Sequence, residues 1–124
     1  MNVVDSSGWL EYFADGPNAE FFAPAIENVA DLLVPSISIY EVFKRILQQR
    51  GEDAALKAIV AMQQAKVSNL DTTLALSAAL LSYEKKIPMA DSIILATARS
   101  SDATIWTQDG DFEGLEKVQY IAKP

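Results

Sequence analysis

The sequence predicts an α/β fold, a mostly parallel central sheet covered by helices on both faces, in three layers, and two observations predict it. Short apolar runs of strand length alternate along the chain with longer segments whose apolar residues recur at helical spacing. Strands joined through helices run parallel and bury both faces of their sheet. The second observation is size: 124 residues, half of them apolar, are enough for one domain with a substantial core, and no linker, repeat or low-complexity segment divides residues 1–124.

The elements follow in order. MNVV, cut off by Asp5, reads as a buried strand ending at a carboxylate. SSGWLEYFADG reads as a short helix: Ser6 or Ser7 can cap it, Trp9, Leu10 and Phe13 give one apolar face, and Asp15-Gly16-Pro17 stops it. Asn18 can cap a second helix reaching about Val29, with Phe21, Phe22, Ala25 and Ile26 at helical spacing. DLLVPS is a second strand, and ISIYEVFKRILQQRG a helix with Ile39, Val42, Phe43, Ile46 and Leu47 inward and Gly51 as its break. Residues 52–65 predict an amphipathic helix with Leu56, Ile59, Val60 and Met62 in the core, followed by a short strand in KVSNL. Asp71 or Thr72 can cap a long helix to about Lys86, in which Leu74, Leu76, Ala78, Leu80 and Leu81 read as packing residues. A Pro-bounded loop leads into a helix from about Ala90 to Ser100; ATIWTQ and VQYIA are the fourth and fifth strands.

Composition removes whole classes of chemistry. The chain has no cysteine and no histidine, which excludes disulfides, thiolate nucleophiles, Cys/His zinc sites and histidine-based triads. Its five glycines are spaced wrongly for either a GxxxxGK[ST] phosphate loop or GxGxxG. What remains is chemistry by carboxylates, hydroxyls, lysines and a bound metal. The longest uncharged stretch, Thr72 to Tyr83, is too short to cross a bilayer, and MNVVDSSGW lacks the basic start of a secretory signal, so a soluble cytoplasmic protein is expected. A formal charge of −7 opposes a broad electrostatic grip on nucleic acid but is compatible with acids gathered around cations.

Parallel topology brings four of those acids to one edge. Asp5 ends the first strand and Asp109 the fourth, while Glu41 and Asp91 fall in the first turns of helices that begin at the same edge. Each alone has an ordinary explanation: Asp5 as a cap, Asp91 as a complement to a helix N-terminus, Glu41 as a partner of Lys44 or Arg45. Together they are harder to dismiss, because clustered carboxylates repel and need a cation or a shared proton. All-oxygen ligation favours magnesium or manganese, suited to in-line displacement at phosphorus. Asp109, Asp111, Glu113 and Gly114 in WTQDGDFEG also match the opening of an EF-hand loop, but its twelfth position is Tyr120 rather than a bidentate Glu, and a solvated turn explains the stretch as well.

At these residues the sequence resembles the PIN-domain family of metal-dependent ribonucleases, and in length most resembles the toxins of type II (VapBC-type) toxin-antitoxin pairs. VVDSSGWLEYF is similar to the family's opening strand with its first acid at Asp5; VPSISIYEV, MADSIILATA and WTQDGDFEGL are similar to the following motifs, carrying Glu41, Asp91 and Asp109. The resemblance implies a three-layer α/β/α PIN-like domain and endonucleolytic cleavage of RNA at a four-carboxylate site. Asp5, Glu41, Asp91 and Asp109 would hold Mg2+ or Mn2+, supported by the hydroxyls of Ser6 and Thr107. Asp111 is a further supporting acid that would at most orient the shell; Asp111 and Glu113 read first as turn and helix-start residues. It also implies a homodimer and a small antitoxin protein as partners, the apolar surface around residues 36–64 offering one seat. Lys44, Arg45, Arg50, Lys85, Lys86 and Arg99 are candidate contacts for RNA phosphates.

Two rivals share the fold. A phospho-receiver domain would place paired acids after its first strand and a lysine after a late one, whereas VVDSS supplies one acid and no lysine follows ATIWTQ. A non-catalytic interaction module would keep the fold and lose the metal, yet all four acids are present. The RNA target is not encoded in any of these motifs.

Overall fold

A computed structural model describes all residues, 1–124. Five strands alternate with six helices: β1 (Asn2–Val4), α1 (Ser6–Phe13), α2 (Ala19–Glu27), β2 (Leu33–Pro35), α3 (Ser36–Arg50), α4 (Glu52–Met62), β3 (Lys66–Ser68), α5 (Thr72–Lys85), α6 (Met89–Ser100), β4 (Thr104–Thr107) and β5 (Val118–Tyr120). Every strand pairing is parallel. The sets β1-β4-β5 and β2-β3 are joined by one bridge between Asn2 and Leu32, giving the order 3-2-1-4-5. The chain therefore builds outward from β1 to β3, then returns to the other side of β1 with β4. The crevice beyond the carboxyl ends of β1 and β4 is the topological switch point, where ligands of open α/β sheets bind.

Alternation within each strand separates two cores. Val4 and Val34 join Trp9, Phe22, Ile26, Val42, Ile46 and Met62, so α1 to α4 cover one face. Val3, Leu33 and Ile105 point the other way, onto Ile94, Leu95 and Ala98 of α6. Helix α5 closes that side through Leu74 and Ala78 against Ile93 and Ala96 of α6. Three layers result.

Several local expectations give way to the structure. Helix α2 ends at Glu27 rather than near Val29, and a single 3-10 turn, Val29–Asp31, follows. Asn18 stands at the N-cap position of α2 but makes no capping bond; its side chain is committed elsewhere, as described below. Of the three caps the sequence offers for α1, the structure uses Asp5 and not Ser6 or Ser7. On α4 the buried residues are Ala55, Ala58 and Met62, while Leu56 and Val60 are 48% and 59% exposed. On α5, Leu76 and Leu80 are 64% and 61% exposed rather than packed, and Leu47 of α3 is also exposed. On α4 the small Ala55 and Ala58 sit in the core while the longer Leu56 and Val60 are turned to solvent. No helix is long and apolar enough to cross a membrane.

Candidate metal centre

Asp5 marks where β1 becomes α1. Its backbone N–H still donates to the Trp106 carbonyl at 3.1 Å, continuing the ladder to β4, while its carboxylate accepts the Gly8 N–H at 2.9 Å and so caps the helix. Gly8 leaves no room for a side chain: a Cβ there would stand 2.7 Å from both Phe22 and Val4. Helix α1 thus starts pressed onto β1, and Asp5 is 2% exposed. Two hydroxyls complete its shell, Thr107 Oγ1 donating at 2.8 Å to Oδ2 and Ser7 Oγ at 2.9 Å to Oδ1.

Thr107 also accepts the Asp109 N–H at 2.8 Å, which fixes the backbone as it leaves β4. Asp109 then caps a 3-10 turn, Gly110–Phe112, by accepting the Asp111 N–H at 2.9 Å. Phe112 is fully buried among Val3, Leu33, Ile94 and Ile105 and anchors this acidic turn to the core. Glu113 follows it exposed, and no helix starts there. On α3, Glu41 accepts Ser6 Oγ at 2.6 Å; it pairs with neither Lys44 nor Arg45. Asp91 sits in the first turn of α6, where the helix dipole favours negative charge.

These groups meet in one cleft of about 290 Å3, lined by Asp5, Ser6, Ser7, Leu10, Glu41, Arg45, Asp91, Ile94 and Asp109. It is at the low end for ligand pockets, which suits chemistry on one group of a larger substrate rather than enclosure of a whole molecule. Asp111 stands beside it, and one carboxylate oxygen each from Asp91, Asp109 and Asp111 lie within 4.8 Å of one another. Of the expected bases only Arg45 lines the cleft. Arg99, in the last turn of α6, borders instead a hollow with Ala103 and Ile105, toward the start of β4.

The electrostatics record the crowding. Burial pushes the Asp91 carboxyl up to about 8, with further increments from a hydrogen bond shared with Asp111 and from the charges of Asp109, Asp111 and Asp5. Asp5 is pushed up to about 6, again chiefly by burial, although the bonds from Thr107, Gly8 and Ser7 act in the opposite sense. No carboxylate of the cleft takes part in an ion pair, the chain's two being Met1–Asp31 and Asp102–Lys117. Crowded, unpaired acids at the end of a parallel sheet are the arrangement that the family resemblance implies, and the PIN-domain sequence profile matches residues 3–118.

The chain belongs to the PIN-domain family. Solved structures similar to this PIN domain include a toxin-antitoxin complex from Klebsiella pneumoniae, with a TM-score of 0.81, 21% identity and 96% of each chain covered. VapC20 of Mycobacterium tuberculosis, a sarcin-ricin loop cleaving toxin, aligns with a TM-score of 0.79 at 17% identity, over 95% of this chain and 97% of that one. DNA-bound VapBC from Salmonella typhimurium aligns with a TM-score of 0.75 at 14% identity, over 98% and 97%. At such identities the likeness is one of fold. No curated protein matches the chain by sequence.

The PIN domain's donor set fits a hard divalent cation. Every polar group of the cleft apart from the Arg45 guanidinium offers oxygen, and none of its carboxylates is ion-paired. Two supporting elements escaped the sequence reading. Ser7 had been visible only as a possible cap, yet it donates to Asp5. Asn18 Nδ2 donates to Gln108 Oε1 at 2.9 Å and to the Ala122 carbonyl at 3.0 Å, tying the α2 start and the C-terminal tail to the residue between Thr107 and Asp109. No local pattern signals that pair, which spans 90 residues of sequence.

Proposed function

We propose that this PIN domain is a Mg2+- or Mn2+-dependent endoribonuclease and the toxin of a type II toxin-antitoxin pair. The observation that carries the reading is the convergence of Asp5, Glu41, Asp91 and Asp109, none of them ion-paired, in one cleft at the switch point. These four would hold the metal, with Asp111 beside Asp91 and Asp109 as a supporting acid. A divalent cation held by these acids would supply a water of lowered pKa and charge to offset that developing at a scissile phosphate. The chain's own groups prepare the site. Thr107, Ser7 and the Gly8 N–H orient Asp5, and Ser6 orients Glu41, by neutral hydrogen bonds that leave the carboxylate charge uncancelled. Burial first, and then the neighbouring acids, push the Asp91 carboxyl up to about 8, so a cation held there would displace its proton.

The partners in this reading are an RNA substrate, a small antitoxin and a second copy of the chain, in the cytoplasm. Two uncovered apolar faces support protein partners: Tyr40, Leu47, Leu56 and Val60 on α3 and α4, and Leu76, Leu80, Tyr83 and Met89 on α5 and α6.

The test is incubation of antitoxin-free protein with total cellular RNA, with and without Mn2+, alongside folded Asp91→Asn. Discrete fragments that require both the metal and Asp91 support the proposal. Equal cleavage by both proteins marks a contaminant, and absence of cleavage by a wild type that still binds Mn2+ favours a silent interaction module.

A further inference from the structure

One cation faces the acidic cleft, and nothing in the chain uses it. Arg45 lies one helical turn after Glu41 on α3, so the two side chains share a helix face, and Arg45 lines the cleft with Asp5, Glu41, Asp91 and Asp109. Four carboxylates within one small cleft would ordinarily capture a guanidinium. Yet Arg45 makes no ion pair within 4.0 Å and no hydrogen bond, and Glu41 accepts the Ser6 hydroxyl instead. Its neighbour Lys44 is differently employed, its ammonium 5.8 Å from the centre of the Tyr40 ring on the exposed side of the helix. Arg45 therefore borders the acids without neutralising them.

A nuclease cleft of this kind has a physical difficulty that Arg45 resolves. The chain carries a formal charge of −7, and a polyanionic substrate must approach carboxylates of the same sign. A metal held by the acids would offset charge at the scissile group, which leaves an adjacent backbone phosphate to a donor of the protein's own. A guanidinium presents planar, paired N–H donors matched to two phosphate oxygens, and it stays charged at any working pH. Resting on the ribonuclease reading above, we propose that Arg45 is a substrate-binding residue whose guanidinium grips an RNA backbone phosphate next to the scissile one. The contact is to backbone, so it positions the strand and carries no sequence preference.

The test is fluorescence anisotropy with a labelled 12-nucleotide single-stranded RNA, in Ca2+, with probe integrity checked on a gel. Wild type, Arg45→Gln, Arg45→Lys and Lys44→Gln are compared across salt, and Mn2+ binding to each is measured separately by electron paramagnetic resonance. Arg45→Gln is expected to weaken binding about tenfold for every probe sequence and to reduce the slope of log affinity against log salt by about 0.7, the loss of one phosphate contact to a single strand. Arg45→Lys keeps most of the slope and recovers part of the affinity, and Lys44→Gln changes neither. Mn2+ binds Arg45→Gln no more weakly than wild type, which separates substrate binding from support of the metal site. Unchanged RNA affinity in Arg45→Gln, or an equal loss in Lys44→Gln, overturns the assignment while leaving the nuclease reading intact. A wild type that binds no RNA overturns both.

Discussion

Replacing Asp91 by Asn tests whether the acid cluster strains the metal-free fold. The carboxyl is raised from 3.8 to about 8, chiefly by burial and then by Asp111, Asp109 and Asp5. Between those values the native state binds more protons than the unfolded chain, so stability falls as pH rises from about 4 to 8. The contribution is whole below the unfolded pKa and gone above the folded one. At about 1.36 kcal/mol per unit the full shift corresponds to roughly 5–6 kcal/mol as a ceiling. Asp91 is only half-buried, and solvent screening brings the figure to about 2 kcal/mol. Asn keeps the shape and can still donate to Asp111 without acquiring charge.

Thermal unfolding in EDTA, at pH 5, 6, 7 and 8, reads the difference. At roughly 4 °C per kcal/mol for a domain of this size, Asp91→Asn should melt about 8 °C above wild type at pH 8, the gap narrowing toward pH 5. Added Mn2+ should narrow or reverse the gap, since a ligand of the native state stabilises the protein that binds it better. A variant melting at or below wild type at pH 8 in EDTA would refute the claim that burial and the neighbouring acids make a charged Asp91 costly to the fold.

The same proton should appear in metal binding: Mn2+ affinity measured by calorimetry is expected to rise between pH 6 and 8, approaching tenfold per unit, and a flat profile would remove Asp91 from the ligand set. Gly8→Ala should destabilise the chain by about 1–3 kcal/mol in denaturant titration, because the new methyl overlaps Phe22 and Val4, both fully buried. Equal or greater stability would mean that α1 can lift from β1 freely. Leu76→Glu with Leu80→Glu should leave unfolding within about 0.5 kcal/mol of wild type, since both side chains are exposed, and should reduce self-association in sedimentation velocity. A large loss of monomer stability would return these leucines to the core.

The edge of the sheet was legible because it follows from topology alone. Strands joined by helices run parallel, so the residues after VV and IWT had to share one end, and Asp5 and Asp109 do. Which face of a helix turns inward was less legible. In α5 the run Leu74, Leu76, Leu80, Leu81 has apolar residues around much of the circumference, and the burial of Leu74 and Ala78 was decided by how closely α6 approaches. Likewise Ala55 and Ala58 fit under α3 where Leu56 and Val60 would not have gained by turning in. Asn18 illustrates a different limit: a residue type that favours capping was diverted by a partner 90 positions away, and a stronger tertiary contact overrode the local preference.

The site also explains a choice that composition leaves open, namely how to hold several carboxylates in place without disarming them. Ion pairs would fix them, but a guanidinium or ammonium in contact would cancel the charge and compete with a cation for the same oxygens. The chain uses neutral donors instead: three on Asp5, one on Glu41, and a backbone N–H on Asp109. Such bonds set orientation without cancelling the negative charge, and Asp91, raised chiefly by burial, is raised further by the charges of Asp109, Asp111 and Asp5. The cost in stability falls at the switch point, where β1 and β4 end side by side. An arginine in the same cleft, close enough to line it yet unpaired, fits that logic: its charge is kept for a ligand that arrives from outside.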